Sequence, residues 1–366
     1  MKIKQIINNN FKRKDKKIYF IHKKYDNKNF RYSSKFFFII VIISFVFFSV
    51  NKRKKEPEKI KFKYFACFCA LLREENLYIR DLISYYLSIG FEKFIIGDNN
   101  FPNVEKLSDV IQDYVENGIV DIIEIFGSSI VQEEFYGIIY EKYKNKCSWI
   151  SFFDFDEYLR MHSEDNRIIT IKQYLSKPIF EKCESISLNW LIYTDNNLIS
   201  YDNRSVLERF PFPLYSSKEN KVVKSIIRGN LKKRVFYNIS SSHVPNKRVH
   251  ICNSIGKRLK HYSAFYVKPP VLKYAYLMHY TTKTAVEYIN KIKRGLTQNV
   301  PYNITDKIRY FFEINDFTEE KLKIFEKAFN RTFEQFRNYQ NNYKTPTFMN
   351  RINKMWIIIS LICLIF

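Results

Sequence analysis

In the stretch Trp149-Ile150-Ser151-Phe152-Phe153-Asp154-Phe155-Asp156-Glu157-Tyr158-Leu159, an apolar, strand-like run ends in two carboxylates two residues apart. Residues two apart on a strand share a face, so Asp154 and Asp156 are expected to project together while Phe155 packs on the other side. Such a pair makes a hard, oxygen-rich site suited to Mg²⁺ or Mn²⁺. An ion held by only one or two protein carboxylates keeps positions open for a diphosphate. The competing reading is an acidic turn that caps a strand, with Glu157 opening a helix.

The elements that must position this pair are legible upstream. Residues 65–72 read as a buried strand and 76–89 as a helix stopped by Gly90, a residue suited to the position after a helix. A second strand, 94–98, ends in Asp98-Asn99-Asn100. A helix over 104–116, a strand over 119–125 and a helix over 132–144 lead into the strand that carries Asp154 and Asp156. This alternation predicts an α/β fold, a mostly parallel sheet flanked by helices. Ligands in such sheets bind beyond the carboxyl ends of the strands. Asp98, Asp154 and Asp156 all fall at such ends, so one crevice can collect them.

Composition narrows the partners. Of the formal charge of +24 on 366 residues, +15 sits in residues 1–63, with 19 Lys/Arg against 4 Asp/Glu. The remainder is thinly basic and carries no nucleic-acid motif, so no nucleic-acid partner is expected. Residues 1–35 read as a basic, disordered tail and 51–61 as a basic linker. Between them, residues 36–50 form an uninterrupted apolar run with basic clusters on both sides. As a helix this run spans about 22 Å, short of a hydrocarbon core of roughly 30 Å. It reads as a membrane anchor, single-pass or interfacial, its basic flanks suited to anionic headgroups. Residues 62–300 form the body, and residues 301–366 a helical C-terminal extension, amphipathic over 318–342, with an apolar tail over 356–366. The six cysteines (Cys67, Cys69, Cys147, Cys183, Cys252, Cys363) show no Cys-x-x-Cys spacing. They read as small buried hydrophobes in a reducing compartment, with the body on the cytoplasmic side.

Taken in order, the motifs resemble the GT-A-fold glycosyltransferases, in the branch around families 2 and 92. The resemblance rests on the first strand followed by Arg73-Glu74-Glu75-Asn76, the Asp98-Asn99-Asn100 end of the second strand, and the Asp154-Phe155-Asp156-Glu157-Tyr158 run. Trp190, Glu208-Arg209-Phe210 and Lys224-Ser225-Ile226 follow. His279-Tyr280-x-x-Lys283-Thr284-x-x-Glu287-Tyr288-x-x-Lys291-x-x-Arg294-Gly295 closes the pattern. It covers about residues 62–296.

The resemblance implies a GT-A-like domain that moves a sugar from a nucleotide-diphosphate donor, UDP-linked in most of the family, to a hydroxyl acceptor. Residue by residue, it implies base and ribose contacts from Glu75 and Asp98 and a metal–diphosphate pair at Asp154 and Asp156. It implies that His279 completes the metal or phosphate site, a capping or packed histidine being the plain alternative, and that Lys283, Lys291 and Arg294, on one helical period, approach phosphate. For Lys291 the preferred reading is part of a solvated basic face. The family's usual Asn-Glu is Glu74-Glu75 here, and Leu82 and Tyr86 replace a Trp-x-x-x-His.

An inverting transfer needs a carboxylate to deprotonate the acceptor. Glu208 and Asp195 are the candidates, with Glu208 preferred; the bland role for Glu208 is an ion pair with a neighbouring cation. An anchor beside a sugar transferase suggests a glycan or lipid-linked acceptor at a membrane. Two other readings stay open. One is a nucleotidyltransferase, which would want a Gly-rich or basic loop after the first strand. The other is a membrane-anchored adaptor whose acidic cluster is structural.

Overall fold

In this computed structural model the described residues are 61–125, 132–232, 235–236, 245, 248–259, 266–295 and 303–330. The chain divides into two compact units, residues 1–59 and 60–366, and the described residues belong to the second. The tail over 1–35, the anchor over 36–50, the linker up to residue 60 and the apolar run over 356–366 lie outside them. Among the described residues no helix is long and apolar enough to cross a membrane.

Strand β1 (Tyr64–Leu72) shows how one sequence feeds two cores. Ala66, Phe68, Ala70 and Leu72 enter one buried cluster, while Cys67, Cys69 and Leu71 enter another. That alternation is the two-residue period of a strand covered on both faces. Helix α1 (Ile79–Ser88) packs Ile79, Leu82, Ile83 and Tyr86 into the first cluster, and Gly90 follows it at φ +94°. Strand β2 (Lys93–Asp98) comes next, then the short helices α2 (Leu107–Val110) and α3 (Gln112–Glu116) and strand β3 (Val120–Glu124). Helix α4 (Gln132–Tyr143) packs Phe135, Tyr136, Ile139, Tyr140 and Tyr143 into the second cluster. It sits so close that a Cβ on Gly97 would stand 2.6 Å from the Phe135 ring.

Strand β4 (Cys147–Phe152) lies beside β1, and β1–β4 form the parallel half of the sheet. The remaining strands are β5 (Glu157–Met161), β6 (Ser185–Ile192), β7 (Val223–Arg228), β8 (Ile251–Asn253) and β9 (Ala275–His279). The sheet order is β3-β2-β1-β4-β7-β6-β9-β5, with β8 paired to β6. Five of the eight pairings among the described strands are parallel, as expected, and three antiparallel ones make the sheet mixed. Residues 153–156 lead from β4 straight into β5 with no crossover helix to reset chain direction, and β4–β7, β6–β7 and β5–β9 are antiparallel. Helices α5 (Ile171–Leu175) and α6 (Val206–Arg209) lie in the connections of this half.

Helix α7 (Ala285–Arg294) opens with a capping box between Thr284 and Glu287. Its apolar residues Ala285, Tyr288, Ile289 and Ile292 pack on α8 (Ile304–Ile314) and α9 (Glu319–Phe329) through Ile308, Phe311, Phe312 and Phe325.

The cysteines require a correction. Cys67 pairs with Cys147 and Cys183 with Cys252, leaving Cys69 as a buried thiol among the described residues. Partners 80 and 69 residues apart in sequence are joined because β1 lies against β4 and β6 against β8. No local spacing carries that information. The reading of Cys67, Cys147, Cys183 and Cys252 as unpaired buried hydrophobes does not hold.

Candidate functional site

The site forms where the turn after β4 leads into β5, which runs antiparallel to β9 at the far edge of the sheet. Strand β4 stops at Phe152, and residues 153–156 turn into β5. Strand alternation therefore does not govern Asp154 and Asp156, and the two carboxylates take different partners. The register sets Glu157 opposite His279, and the Tyr280 backbone N–H donates to the Asp156 carbonyl. This brings His279 onto Asp156 across 123 residues of sequence.

Asp156 is nearly inaccessible, its side chain 6% exposed. Its Oδ2 accepts from Lys291 Nζ at 2.6 Å, and its Oδ1 lies 3.4 Å from His279 Nε2. The His279 ring lies against Trp190, tilted by 51° with centroids 4.1 Å apart. Its Nδ1 has no hydrogen-bond partner among the described residues. Burial alone would raise the Asp156 carboxyl. Lys291, His279 and Lys283 outweigh burial and hold it well below the ordinary carboxylate range.

Glu75, just past β1, faces the same cations. Arg294 donates to its Oε1, and Lys283 Nζ stands 3.6 Å from its Oε2. Arg294 also donates to the carbonyls of Arg73 and Glu74, clamping the loop after β1 onto α7. Burial pushes the Glu75 carboxyl up, but Arg294 and Lys283 bring it below its usual value. Lys283 sits at φ +50° with its ammonium 4.1 Å from the Tyr78 ring centroid. Left-handed backbone at a lysine costs about 1 kcal/mol or more, and here it aims the side chain inward. Lys291, expected on a solvated face, is instead an inward residue of the site, because positions 287, 291 and 294 share one face of α7.

Asp154 is more open, 35% exposed, and lies beside a second buried cation. Its Oδ2 accepts from Lys224 Nζ at 2.8 Å and its Oδ1 from Gln132 at 2.9 Å. Glu157 opens β5, not a helix. It accepts from the Asp154 backbone N–H and lies 3.9 Å from Lys224. Burial pushes its carboxyl well up, outweighing Lys224. Asp98 stands at the end of β2 as expected, with both oxygens accepting backbone N–H groups, from Asn100 and Leu107. It shapes the loop after β2, and burial raises its carboxyl.

The two base candidates lie apart from this cluster of contacts. Glu208 is exposed and closes a capping box with Ser205, whose N–H and hydroxyl lower its carboxyl. The cation next to it in sequence, Arg209, pairs with Glu287 instead. Asp195, past the end of β6, pairs with the fully buried Lys321 at 2.6 Å, and Asn315 accepts its backbone N–H. Burial pushes the Asp195 carboxyl up against the pull of Lys321. This pair ties the C-terminal helices to β6. A small open hollow here is lined by Thr194, Asp195, Asn196, Asn197, Phe212 and Asp316.

Sequence reasoning gave no role to Lys224, Glu287 or Lys321. Lys224 and Glu287 stood inside recognisable motifs, whereas Lys321 had no signal at all.

Among the described residues no three His, Cys, Asp or Glu side chains converge as metal ligands. Asp156 Oδ1 and His279 Nε2, however, have a separation suited to neighbouring positions on one octahedral ion, whose ligands at 2.0–2.1 Å lie about 3 Å apart. The donor set fits a divalent cation that takes two protein ligands and draws its others from a diphosphate and water.

The mixed α/β sheet thus presents a buried acid–imidazole pair, with Lys291 on the acid and Lys283 and Arg294 on the neighbouring Glu75. Comparison with known proteins finds a likeness to one family. The chain is similar to glycosyltransferase family 92 proteins: one of Arabidopsis thaliana (26% identical over 117 residues, 29% of this chain and 18% of that protein) and one of Oryza sativa (25% over 113 residues, 31% and 19%). A Ricinus communis protein of the same family is 23% identical over 95 residues, 26% and 17% of the two chains. The matches span less than a fifth of the length of these relatives. No family model matches the chain. Among solved structures, Staphylococcus aureus TarS 1–349 aligns over 77% of this chain and 75% of its own at 12% identity and a TM-score of 0.33. The Pyrobaculum calidifontis mannosyltransferase PcManGT, in complex with GDP-Man and Mn²⁺, aligns over 41% and 43% at 8% and 0.24. Scores this low carry no weight for fold or function. The sequence relatives bear the family name that the motifs resemble.

Proposed function

We propose that this domain is a metal-dependent glycosyltransferase that moves a sugar from a nucleotide-diphosphate donor, UDP-linked, to a hydroxyl acceptor. The observation that carries this reading is Asp156, buried against His279 and paired with Lys291, with Lys283 and Arg294 on the neighbouring Glu75. A carboxylate and an imidazole for a divalent ion, beside a local excess of positive charge, is the chemistry a departing diphosphate needs. Asp156 and His279 would hold Mn²⁺ or Mg²⁺, which when bound supplies Lewis-acid neutralisation of the charge on the leaving group. Lys283 and Arg294 keep Glu75 and the loop after β1 in place, where the nucleoside would lie. Asp154, held by Lys224 and Gln132, fixes the turn that presents Asp156.

The acceptor enters on the β6 side, where Phe212 and Tyr215 are exposed next to the polar hollow at Asp195. Aromatic faces beside amides and carboxylates suit a glycan. The run over 36–50 holds the enzyme at a membrane, with a lipid-linked or surface glycan as substrate. Disulfides persist in oxidising compartments, so the Cys67–Cys147 and Cys183–Cys252 pairs favour a lumenal or external body over a cytoplasmic one.

The test is thermal unfolding of the full chain with Mn²⁺ and UDP, separately and together, followed by a donor screen for UDP release. At about a hundredfold excess over the dissociation constant, linkage predicts a stabilisation of about 2.7 kcal/mol. A shift that needs both ligands and is lost in Asp156→Asn supports the reading. Absence of any shift with UDP or GDP overturns it.

A further inference from the structure

Lys291 neutralises the carboxylate that a divalent ion would need, holding Oδ2 beside the Oδ1 that the ion would share with His279. Its ammonium donates to Asp156 Oδ2 at 2.6 Å and to the Thr281 carbonyl at 2.9 Å. With His279 Nε2 3.4 Å from Oδ1, each oxygen of this buried carboxylate already faces a partner. The three cations differ in how firmly they are held. Arg294 makes contacts to Arg73, Glu74 and Glu75, and its side chain is 14% exposed. Lys283 is 5% exposed. Lys291 is 29% exposed and reaches Asp156 from the open side. It is a compact charge on a flexible four-carbon stem, without the fixed fork of an arginine. Lys291 is therefore the cation that can leave. An ion arriving at Asp156 would meet a neighbouring positive charge unless the lysine found another anion, and a donor diphosphate bound at the same ion supplies one.

Resting on the assignment of Asp156 to the metal site, we propose that Lys291 is an internal counter-cation that occupies Asp156 in the empty enzyme, competes with the divalent ion there, and passes to the donor diphosphate on loading. Metal and donor then load together. Each improves the other's affinity by the same factor, because coupling free energies are reciprocal. The empty enzyme takes up free metal poorly, and its buried carboxylate is never left without a counter-charge.

The test is isothermal titration calorimetry of the full chain with Mn²⁺ alone, and with UDP or GDP in the absence and presence of Mn²⁺. Lys291→Met is expected to bind Mn²⁺ alone at least tenfold more tightly than the wild type. It should also lose about tenfold in nucleotide affinity when Mn²⁺ is present, so that the coupling between the two ligands collapses. Lys291→Arg, which keeps the charge, should restore weak binding of Mn²⁺ alone, a rescue that guards against a folding artefact in the methionine variant. If Lys291→Met binds Mn²⁺ no more tightly than the wild type while Asp156→Asn abolishes binding, the counter-cation role is overturned and the metal site stands. If Mn²⁺ binds none of the variants, with or without nucleotide, both fall.

Discussion

Helix α7 carries two buried acid–base pairs one turn apart, and they are built to opposite ends. At Glu287 the carboxylate is saturated. Arg209 Nη1 lies 3.0 and 2.8 Å from its two oxygens, Tyr78 donates to Oε1 and the Thr284 N–H to Oε2. Arg209 is fully buried, with its guanidinium against the Tyr201 and Phe210 rings. At Asp156 the cation is a lysine at the solvent edge and the second oxygen faces only a longer contact to His279. The first arrangement fixes α7 to the chain around α6. The second leaves a charge that can be exchanged. Fixing and exchanging are done by one helix face because its hydrophobic face is already occupied by α8 and α9.

The contrast can be broken in several ways. Asp156→Asn should lower sugar transfer by about 10³-fold, the scale of losing a leading electrostatic group, with an unchanged circular dichroism spectrum. Activity within tenfold of the wild type would put the chemistry elsewhere. Arg209→Met should act on stability, because removing one partner of a buried pair costs about 3–5 kcal/mol. For a domain of this size the melting temperature should fall by roughly 10 °C. An unchanged melting temperature with lost transfer would move Arg209 from scaffold to site.

The same variant sharpens the comparison through pH. Burial would raise the Glu287 carboxyl, but Arg209 and Thr284 hold it below its usual value. Its stabilisation is therefore complete above the ordinary glutamate value of about 4.3 and is lost as pH falls through the lowered one. Without Arg209, burial dominates and the sign reverses, so the variant loses stability as pH rises. The melting-temperature gap between wild type and Arg209→Met should thus be larger at pH 7 than at pH 4. A constant gap would mean that Glu287 is not charged in the fold. The smallest effect is expected for Glu208→Gln. Glutamine keeps the capping box, so stability and transfer should stay within about threefold, whereas a general base would lose about 10²–10⁴-fold.

The parallel half was legible because each of its signals is local. A buried run reads as a strand, an amphipathic stretch with a glycine stop reads as a helix, and β1 to β4 with their helices fall close to the expected limits. The mixed half was not, since β5, β8 and β9 are short and owe their pairing to distant partners. The same divide runs through the site. Asp154 and Asp156 announced themselves by spacing, but that Asp154 goes to Lys224 and Asp156 to Lys291 depends on a turn that a strand period cannot describe. Lys291 looked solvated because helical periodicity says which residues share a face and not what that face meets. The disulfides escaped for the same reason as the register.

The Arg294 clamp also bears on how the protein is made. It grips the carbonyls of Arg73 and Glu74, residues translated 221 and 220 positions earlier. At about 5–20 residues per second, the first strand's exit loop waits roughly 10–45 s for the guanidinium that shapes it. A nascent chain that ends before Lys283 has none of the lysine or arginine counter-charges of Glu75 and Asp156, and one cut short before the last turn of α7 lacks the Arg294 clamp. The shape of the loop after β1 is thus set by the last turn of one late helix.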